Sequence, residues 1–302
     1  MTFIGFVAIN LAPGNYFDTL KQNPQINPDT IELYKAKYHL DKNVFVQYYY
    51  WLINVLKLDF GYSFSYKIPV FSILKTRLFN TLILSLSVFF LSWFLGIPLG
   101  VFCAIKKNKF FDKIFSFFSF LAISFPTFFL ALIFLYFGSL IGFLPLGGMR
   151  SFNYYELNKF DRFLDILKHL IIPTLVLSIP NIAILSRFMR ASFLDELNNK
   201  YVLFLKAKGL SNKKIYLHVL RNSLNPLISI FGMSISGLLS GAALTEIICN
   251  WPGVGSLLLE AILAQDLFLF VGDLLIGGFL LILGYLISDI LLSIFDPRIQ
   301  YQ

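Results

Sequence analysis

Two uncharged stretches constrain the fold of this chain more than any other feature. Leu78 to Ile105 runs for 28 residues without Asp, Glu, Lys or Arg, and Ile114 to Leu146 runs for 33. Because an α-helix rises about 1.5 Å per residue, roughly 20 apolar residues cross the hydrocarbon core of a bilayer. Charged residues make up only 14% of the chain and its mean hydropathy is +0.72, whereas soluble domains are about 25% charged. The sequence therefore predicts an all-α integral membrane protein.

Further apolar runs give the number of membrane spans. We expect spans at about 78–105, 114–141, 170–188, 223–245 and 267–291, with a turn at Gly142 to Gly148 after the second. Pro173 and Pro180 lie in the third of these, which predicts a kinked helix. Met1 to Leu11 is apolar but would extend only about 17 Å as a helix. We interpret it as the end of a truncated first span, with an interfacial anchor as the alternative; its lack of positive charge argues against a secretory signal peptide.

The distribution of Lys and Arg orients the chain. The loop Lys106 to Lys113 carries four positive charges and one acid, and the segment Arg187 to Arg221 carries eight and two. Membrane proteins keep Lys and Arg on the cytoplasmic side, so we expect both there. Residues 13–77 carry eight positive charges against five acids, but charges far from a span end count little. The expected topology has six spans and cytoplasmic termini, with an extracytoplasmic segment within residues 1–77 and a transmembrane domain over 78–302. Alternation of the spans places residues 13–77, 142–169 and 246–266 on the outer side.

Two surface helices are expected in the extracytoplasmic segment. The run Asn27-Pro28-Asp29-Thr30 stops one segment and begins a helix over Ile31 to His39. Gln47 to Leu58 contains four consecutive aromatic residues, and Tyr and Trp are enriched at membrane interfaces. We interpret this second helix as lying on the outer membrane surface, with a substrate-stacking role as the alternative.

The basic segment, residues 187–221, shows a pattern of helix, glycine and second helix. Tyr201 to Lys208 contains good helix formers and precedes Gly209, the preferred residue for a left-handed helix end. Ser211 then fits the N-cap of a helix running toward Arg221. The charge alone would also fit a solvated loop. Apolar side chains argue against that reading and indicate a protein partner: Val202, Leu203, Leu205 and Leu210.

Short motifs in a fixed order resemble those of one transporter family. The basic segment contains the run Ala207-Lys208-Gly209-Leu210-Ser211, preceded by Tyr201-Val202 and followed by Leu220-Arg221-Asn222 and Pro226. This run looks like the EAA loop of ABC importer permeases, specifically the B-type permeases of oligopeptide and dipeptide importers. Further matches are Leu11-Ala12-Pro13-Gly14, Gly96-Ile97-Pro98-Leu99-Gly100, Ser124-Phe125-Pro126, Glu246 with Trp251-Pro252-Gly253-Val254-Gly255 and Glu260-Ala261-Ile262, and Asp296-Pro297-Arg298. The chain departs from the family where Leu203-Phe204-Leu205 replaces the EAA letters and where Tyr285 stands for an expected Asn.

The resemblance implies a type I ABC importer permease fold in the cell inner membrane. Such a subunit forms half of a translocation channel with a related C-type permease. Two cytoplasmic ABC ATPases use ATP and Mg, and an extracytoplasmic binding protein delivers the peptide. A coupling helix from the loop 190–221, here residues 201–209, enters a groove on the ATPase. Similar permeases carry nickel, glutathione or an oligosaccharide, and these cargoes remain alternatives.

Two sets of candidate residues follow from this resemblance and from residue chemistry. For coupling to the ATPase they are Tyr201, Ala207, Lys208, Gly209 and Leu210. For a substrate path or outer gate they are Glu246, Trp251, Pro252, Gly253, Gly255 and Asp273. A carboxylate in a span tends to face an aqueous path, whereas a salt bridge or loop cap for Glu246 and interfacial solvation for Asp273 are the alternatives. Close helix packing is expected at four glycines: Gly237, Gly241, Gly277 and Gly278.

The sequence argues against other functions for this chain. It contains no G-x4-G-K-[S/T] motif, so we expect no bound nucleotide, no cofactor and no catalytic residue. His39, His169 and His218 occur singly and there are only two cysteines, so no metal site or disulfide framework is expected. Neither the inverted repeats of a secondary transporter nor the nucleophile motifs of a membrane hydrolase are evident. Basic residues lie in short blocks beside apolar runs, which argues against nucleic-acid binding.

Overall fold

The computed structural model describes residues 1–11, 32–33, 36–227 and 243–295, and these residues are mostly helical. The helices are α1 (Thr2–Leu11), α2 (Val44–Leu56), α3 (Val70–Ile105), α4 (Phe110–Ser124), α5 (Thr127–Ile141), α6 (Lys159–Leu197), α7 (Lys200–Ala207), α8 (Asn212–Ser223), α9 (Ala243–Ile248), α10 (Val254–Leu263) and α11 (Leu267–Phe295). A 3₁₀ turn spans Tyr154–Glu156. One small antiparallel hairpin pairs β1 (Tyr62–Ser63) with β2 (Ile68–Pro69), Tyr62 lying opposite Pro69. The prediction of a helical fold class is confirmed for these residues.

Some predicted features lie outside the described residues. They are the motif positions Ala12–Gly14 and Asp296–Arg298, residues 31 and 34–35 of the predicted helix Ile31–His39, and residues 228–242 of the predicted span 223–245, which contain Gly237 and Gly241. The predicted aromatic helix over Gln47 to Leu58 is confirmed as α2.

Three of the described helices are long and apolar enough to cross a membrane. They are α3, α6 and the part of α11 that ends at Ile287. The predicted span 114–141 is corrected to a bent pair, because α4 and α5 pass the same test only together and meet at 105°. Proline disfavours helical backbone in the residue before it, and Phe125, which precedes Pro126, adopts φ −80° and ψ 128°. The predicted turn at Gly142 is confirmed, because Gly142 ends α5 with φ 68°.

Helix α6 is much longer than the apolar run that predicted it. It contains 39 residues and includes both Pro173 and Pro180, whereas the uncharged run covers 170–186. Hydropathy marks the part that hydrocarbon can cover, but the flanks contain helix formers such as Leu, Arg, Ala and Glu that continue the helix. At its start, the side-chain oxygen of Asn158 accepts a hydrogen bond from Asp161 N at 2.9 Å. The basic segment therefore begins as helix, as far as Leu197, rather than as a loop.

The chain forms two compact units. The first comprises Met1–Thr81 and Pro252–Leu280, and the second comprises Leu82–Trp251 and Leu281–Gln302. The core of the first unit draws on α1, α2, the hairpin, the start of α3, α10 and the start of α11. Its largest buried side chains are Phe6, Trp51, Phe60, Phe64, Leu74, Leu257, Phe268 and Leu269.

A buried carboxylate joins the hairpin to α11 within the first unit. Asp266 is fully buried, and its Oδ2 accepts hydrogen bonds from Ser63 Oγ at 2.7 Å, Ser65 Oγ at 2.8 Å and Ser65 N at 3.1 Å. Its Oδ1 accepts a hydrogen bond from Leu269 N at 3.3 Å. The hydrogen bond from Leu269 N satisfies an N–H in the first turn of α11, which is the role of an N-cap side chain.

The second unit contains three hydrophobic clusters. The basic-segment cluster joins the end of α6 to α7 and α8 through Ala104, Leu185, Met189, Phe193, Val202, Ile215, Val219 and Leu227. The tryptophan cluster comprises Leu84, Val88, Met149, Leu170, Leu177 and Trp251. The third cluster joins α5 to α6 through Leu130, Ala131, Ile172, Val176 and Cys249.

Of the four glycines predicted to permit close helix packing, only Gly277 and Gly278 lie in the described residues. A Cβ atom placed on Gly277 or Gly278 would meet nothing within 4 Å in the part of the chain that the structure describes, so the expected contacts are not made there. A Cβ on Gly100 would lie 2.5 Å from Ser186 O, and one on Gly272 would lie 3.0 Å from Val70 Cγ1. Helices α3 and α6 therefore touch at backbone distance beside Gly100, as small residues permit in membranes.

Candidate functional site

The basic segment folds into two short helices joined by a tight turn. Asn199, with φ −69° and ψ 147°, begins α7 over Lys200–Ala207. Ser211, with φ −66° and ψ 150°, occupies the N-cap position of α8, although its side chain makes no cap hydrogen bond. The predicted order of helix, glycine and second helix is confirmed.

Gly209 makes the turn between these helices possible. Its φ is 76°, in the left-handed region that residues with a Cβ atom avoid. Gly209 N donates a hydrogen bond to Lys206 O at 2.9 Å, and Leu210 N donates one to Leu205 O at 3.3 Å. These two bonds define a Schellman helix end. Leu205 and Leu210 both pack against the basic-segment cluster, which supplies the hydrophobic contact that accompanies this motif.

The inner side of α7 is fixed to the rest of the second unit. Val202 is 1% exposed and lies in the basic-segment cluster. The Tyr201 hydroxyl donates a hydrogen bond to Glu196 Oε2 at 2.8 Å, and partial burial together with this bond raises the pKa of Tyr201 above its usual value. The interpretation of Val202, Leu205 and Leu210 as partner contacts is therefore corrected, because these side chains pack within the chain.

The opposite side of α7 presents an exposed apolar surface. Leu203 is 67% exposed and Phe204 is 58% exposed. The ammonium of Lys208 lies 4.4 Å from the centre of the Phe204 ring, a cation–π contact that holds the ring in place. Leu203, Phe204 and Lys208 together form this exposed surface. The sequence identified the apolar residues of this helix but not which of them face outward, so Phe204 was missed as a candidate.

Some of the predicted coupling residues are exposed, and the others are half-buried and pack within the chain. Ala207, Lys208 and Gly209 are exposed, and a Cβ atom on Gly209 would meet no described atom within 4 Å. Tyr201 and Leu210 are half-buried and hold the segment against α6 and α8.

Two of the predicted gate residues lie in the second unit, and both are fully buried. Trp251 is 0% exposed and belongs to the tryptophan cluster. Glu246 is also 0% exposed, and its carbonyl oxygen accepts a hydrogen bond from Trp251 N at 2.7 Å. The Glu246 side chain is enclosed by the protein, and its role in a substrate path or outer gate stays a prediction.

The remaining gate candidates lie in the first unit, and most of them have structural contacts. Asn80 Nδ2 donates a hydrogen bond to Pro252 O at 2.8 Å. Gly253, which is buried, forms the N-cap of α10, and its N–H donates to Ser256 Oγ at 3.1 Å. Gly255 is half-buried within α10. Asp273, on α11, is 3% exposed. A role of these residues in a substrate path stays a prediction.

A polar cluster that sequence reasoning missed fixes α10 within the first unit. Arg77 Nη2 donates hydrogen bonds to Glu260 Oε2 and to Tyr66 Oη, each at 2.9 Å. The Tyr66 hydroxyl also donates to Glu260 Oε2. Burial, followed by the bond to Glu260, raises the pKa of Tyr66 above its usual value. Glu260 is more than 180 positions from Tyr66 and Arg77, so no local motif could have connected the three residues.

Two of the histidines make contacts within the protein. His169 Nδ1 lies 2.8 Å from Asp165 O, and the His39 ring stacks on Tyr50 with 4.3 Å between ring centres. No group of three or more His, Cys, Asp or Glu residues within the described ranges is placed to hold a metal ion.

Comparison with known proteins gives the family of the chain. Residues 96–301 match the family described as the binding-protein-dependent transport system inner membrane component. The chain is 37% identical over 304 residues to the oligopeptide transport system permease protein AppB of Bacillus subtilis, covering 100% of this chain and 94% of that protein. It is 33% identical to the dipeptide transport system permease protein DppB of Lactococcus lactis, covering 98% of this chain and 92% of that protein, and 28% identical to DppB of Escherichia coli, covering 100% and 94%. With membrane-length helices and a matching region that includes the basic segment, the chain belongs to the family of inner membrane components of binding-protein-dependent transport systems.

Proposed function

We propose that this chain is the B-type permease subunit of an ATP-driven ABC importer and forms half of a translocation channel for peptides. The observation that carries the proposal is similarity along the whole chain to permeases of oligopeptide and dipeptide transport systems. In this proposal the chain crosses the inner membrane six times and has both termini in the cytoplasm. The first span and the span 223–245 complete the set begun by α3, the α4–α5 pair, α6 and α11.

The proposed partners supply what this chain lacks. A C-type permease completes the channel, two cytoplasmic ATPases hydrolyse ATP with Mg, and an extracytoplasmic binding protein delivers the peptide. The chain itself contains no phosphate-binding loop. ATP binding can therefore act on the channel only by favouring one of its conformations through a mechanical connection.

The geometry of α7 supports its role as that connection. The helix stands on the end of α6 and is held by the basic-segment cluster and by the Tyr201–Glu196 hydrogen bond. Its outer side carries the exposed Leu203 and Phe204. Interfaces concentrate binding energy in a few buried side chains, with aromatic residues prominent among them. We assign Phe204 as the residue that anchors the chain in a groove of the ATPase.

A substitution at Phe204 tests this assignment. Burial of a whole Phe side chain contributes about 1.5–3 kcal/mol, and Phe204 keeps 58% of its surface exposed in this chain. Phe204→Ala should therefore weaken ATPase binding by about 1–2 kcal/mol, which corresponds to roughly a 5- to 30-fold loss of affinity. The measurement is capture of the ATPases by the permease pair in detergent or nanodiscs.

A matched control comes from the other end of α6. Phe163 is also 58% exposed but lies in the predicted outer part of the chain, so Phe163→Ala should leave ATPase capture unchanged. Equal capture by wild type and Phe204→Ala would contradict the coupling role of α7.

The cargo is tested separately by reconstitution. Proteoliposomes with all partners should accumulate labelled di-, tri- or oligopeptides when ATP and binding protein are supplied. Accumulation of Ni²⁺, glutathione or an oligosaccharide in place of peptides would keep the importer assignment and replace the cargo.

A further inference from the structure

An arginine–carboxylate pair connects the first turn of α4 to α6. Arg190 Nε donates a hydrogen bond to Asp112 Oδ1 at 2.7 Å, and Arg190 Nη2 donates one to Asp112 Oδ2 at 2.8 Å. Asn108 N donates a third hydrogen bond to Asp112 Oδ2 at 2.9 Å. Asp112 is 3% exposed. Two parallel bonds from one guanidinium to one carboxylate fix orientation as well as distance.

Stability alone is a poor explanation for this pair. The Asp112 carboxylate loses hydration because it is buried, whereas the Arg190 side chain is 29% exposed. Attraction between such charges often only balances the lost hydration. Side chains that fix one geometry are better explained by the arrangement that they select. Asn108 shows the same constraint, because its φ is 63° in the left-handed region. The carboxylate therefore holds both the α3–α4 turn and α6 in a defined position.

Close packing at Gly100 makes the same connection from the α3 side. A Cβ atom on Gly100 would lie 2.5 Å from Ser186 O and 2.7 Å from Met189 Cβ. Met189 directly precedes Arg190, so the residues that contact Gly100 and the residue that binds Asp112 lie on the same turn of α6. Ala104, near the end of α3, packs in the basic-segment cluster with Met189. The end of α3, the turn and the end of α6 thus contact one another by packing and by directional hydrogen bonds.

We propose that Asp112 and Arg190 are positioning residues for energy coupling. They make α3 and α4 move with the basic segment when a conformational change of the ATPase moves α7. The proposal rests on the proposed function, because it assumes that α7 receives the movement of the ATPase. It adds the route by which the movement leaves the basic segment. Helix α6 carries it directly, and the Asp112–Arg190 pair together with the Gly100 contact transfers it to α3 and α4.

The test compares uptake with ATP consumption in the complete importer. We expect Asp112→Asn and Arg190→Gln to capture the ATPases and to hydrolyse ATP within about twofold of wild type, while peptide uptake per ATP falls at least about tenfold. Arg190→Lys keeps the charge but loses the two-bond geometry, so its ratio should lie between those of wild type and Arg190→Gln. The exchange Asp112→Arg with Arg190→Asp should recover part of the ratio, which a general loss of folding would not allow.

Two further variants make the result decisive. Arg162→Gln is the matched control, because Arg162 also lies on α6 but its guanidinium donates hydrogen bonds to Tyr154 O and Tyr155 O rather than to α4; this variant should keep the wild-type ratio. Gly100→Ala should lower the ratio without any change of charge. If Asp112→Asn does not reach the membrane, Arg190→Lys and Gly100→Ala decide the matter. Wild-type uptake per ATP in those variants would overturn the proposal, whereas loss of capture in Phe204→Ala is a separate readout that concerns the proposed function alone.

Discussion

Replacement of Gly209 tests whether the turn of the basic segment is a mechanical part of the importer. Gly209 has φ 76°, and a residue with a Cβ atom loses about 1–2 kcal/mol in the left-handed region. A Cβ atom would meet no described atom within 4 Å, so steric clash adds nothing and the whole penalty comes from the backbone. A penalty of this size shifts the local equilibrium of the turn by roughly 5- to 30-fold.

The coupling that remains after substitution of Gly209 should follow how well each new residue tolerates the left-handed backbone conformation. Asn tolerates the left-handed region better than other residues, so Gly209→Asn should retain the most coupling, Gly209→Ala less and Gly209→Val the least. The Schellman hydrogen bonds at Gly209 N and Leu210 N would weaken in that order, freeing α7 from its fixed direction. The assay is peptide uptake per ATP in proteoliposomes, with membrane insertion checked by protease protection.

Gly142 provides the control for backbone strain. It ends α5 with φ 68°, and a Cβ atom there would also meet nothing within 4 Å among the described residues. Gly142→Val therefore carries the same local penalty at a position outside the basic segment and should keep its uptake per ATP. Equal coupling in Gly209→Val and Gly142→Val would refute the reasoning.

Three further predictions concern other parts of the chain. Asp266→Asn should lower the free energy of unfolding by about 1–3 kcal/mol, because the buried carboxylate accepts hydrogen bonds from Ser63 and Ser65; thermal melting in detergent checks this, and an unchanged Tm would contradict it. Trp251→Ala should lower that free energy by about 3–5 kcal/mol through the space left in the tryptophan cluster; a wild-type Tm with altered uptake would instead favour the gate prediction. Burial and the bond to Glu260 raise the pKa of Tyr66 above its ordinary value of 10.0. The unfolded chain therefore loses this proton at lower pH than the folded chain, and the free energy of unfolding should fall above about pH 10. Tyr66→Phe should reduce this fall, and an unchanged pH dependence above about pH 10 in that variant would contradict the prediction.

Hydropathy and helix-end chemistry predicted much of the local structure. The predicted spans 78–105 and 267–291 lie in α3 and α11, and the Gly209 and Gly142 helix ends lie where the sequence placed them. These features depend on neighbours within a few residues, so the sequence carries them directly. The bend of 105° between α4 and α5 was missed because an uncharged run does not report a change of direction, even with Pro126 visible inside it.

Functional contacts were harder to predict because they join distant residues. Asp112 appears in the sequence as a single acid in a Lys-rich loop, and its partner Arg190 lies 78 positions away. The apolar residues of α7 were identified, but their division into the buried Val202 and the exposed Phe204 depends on how α7 packs on α6 and α8. The complete burial of Glu246 and Trp251 also depends on tertiary packing, so the sequence did not predict it.

Cross-linking from Ala207 tests the central claim most directly. Ala207 is exposed at the end of α7, while the native Cys103 and Cys249 are only 2% and 3% exposed, so a thiol in Ala207→Cys should react with little background. With a short bifunctional reagent and the assembled importer, the account predicts a product between Ala207→Cys and an ATPase subunit. Tyr155→Cys, at a position that is 75% exposed in the predicted outer part, should give none. Absence of the ATPase product from Ala207→Cys in an importer that transports peptide would contradict the claim that α7 couples this permease to its ATPase.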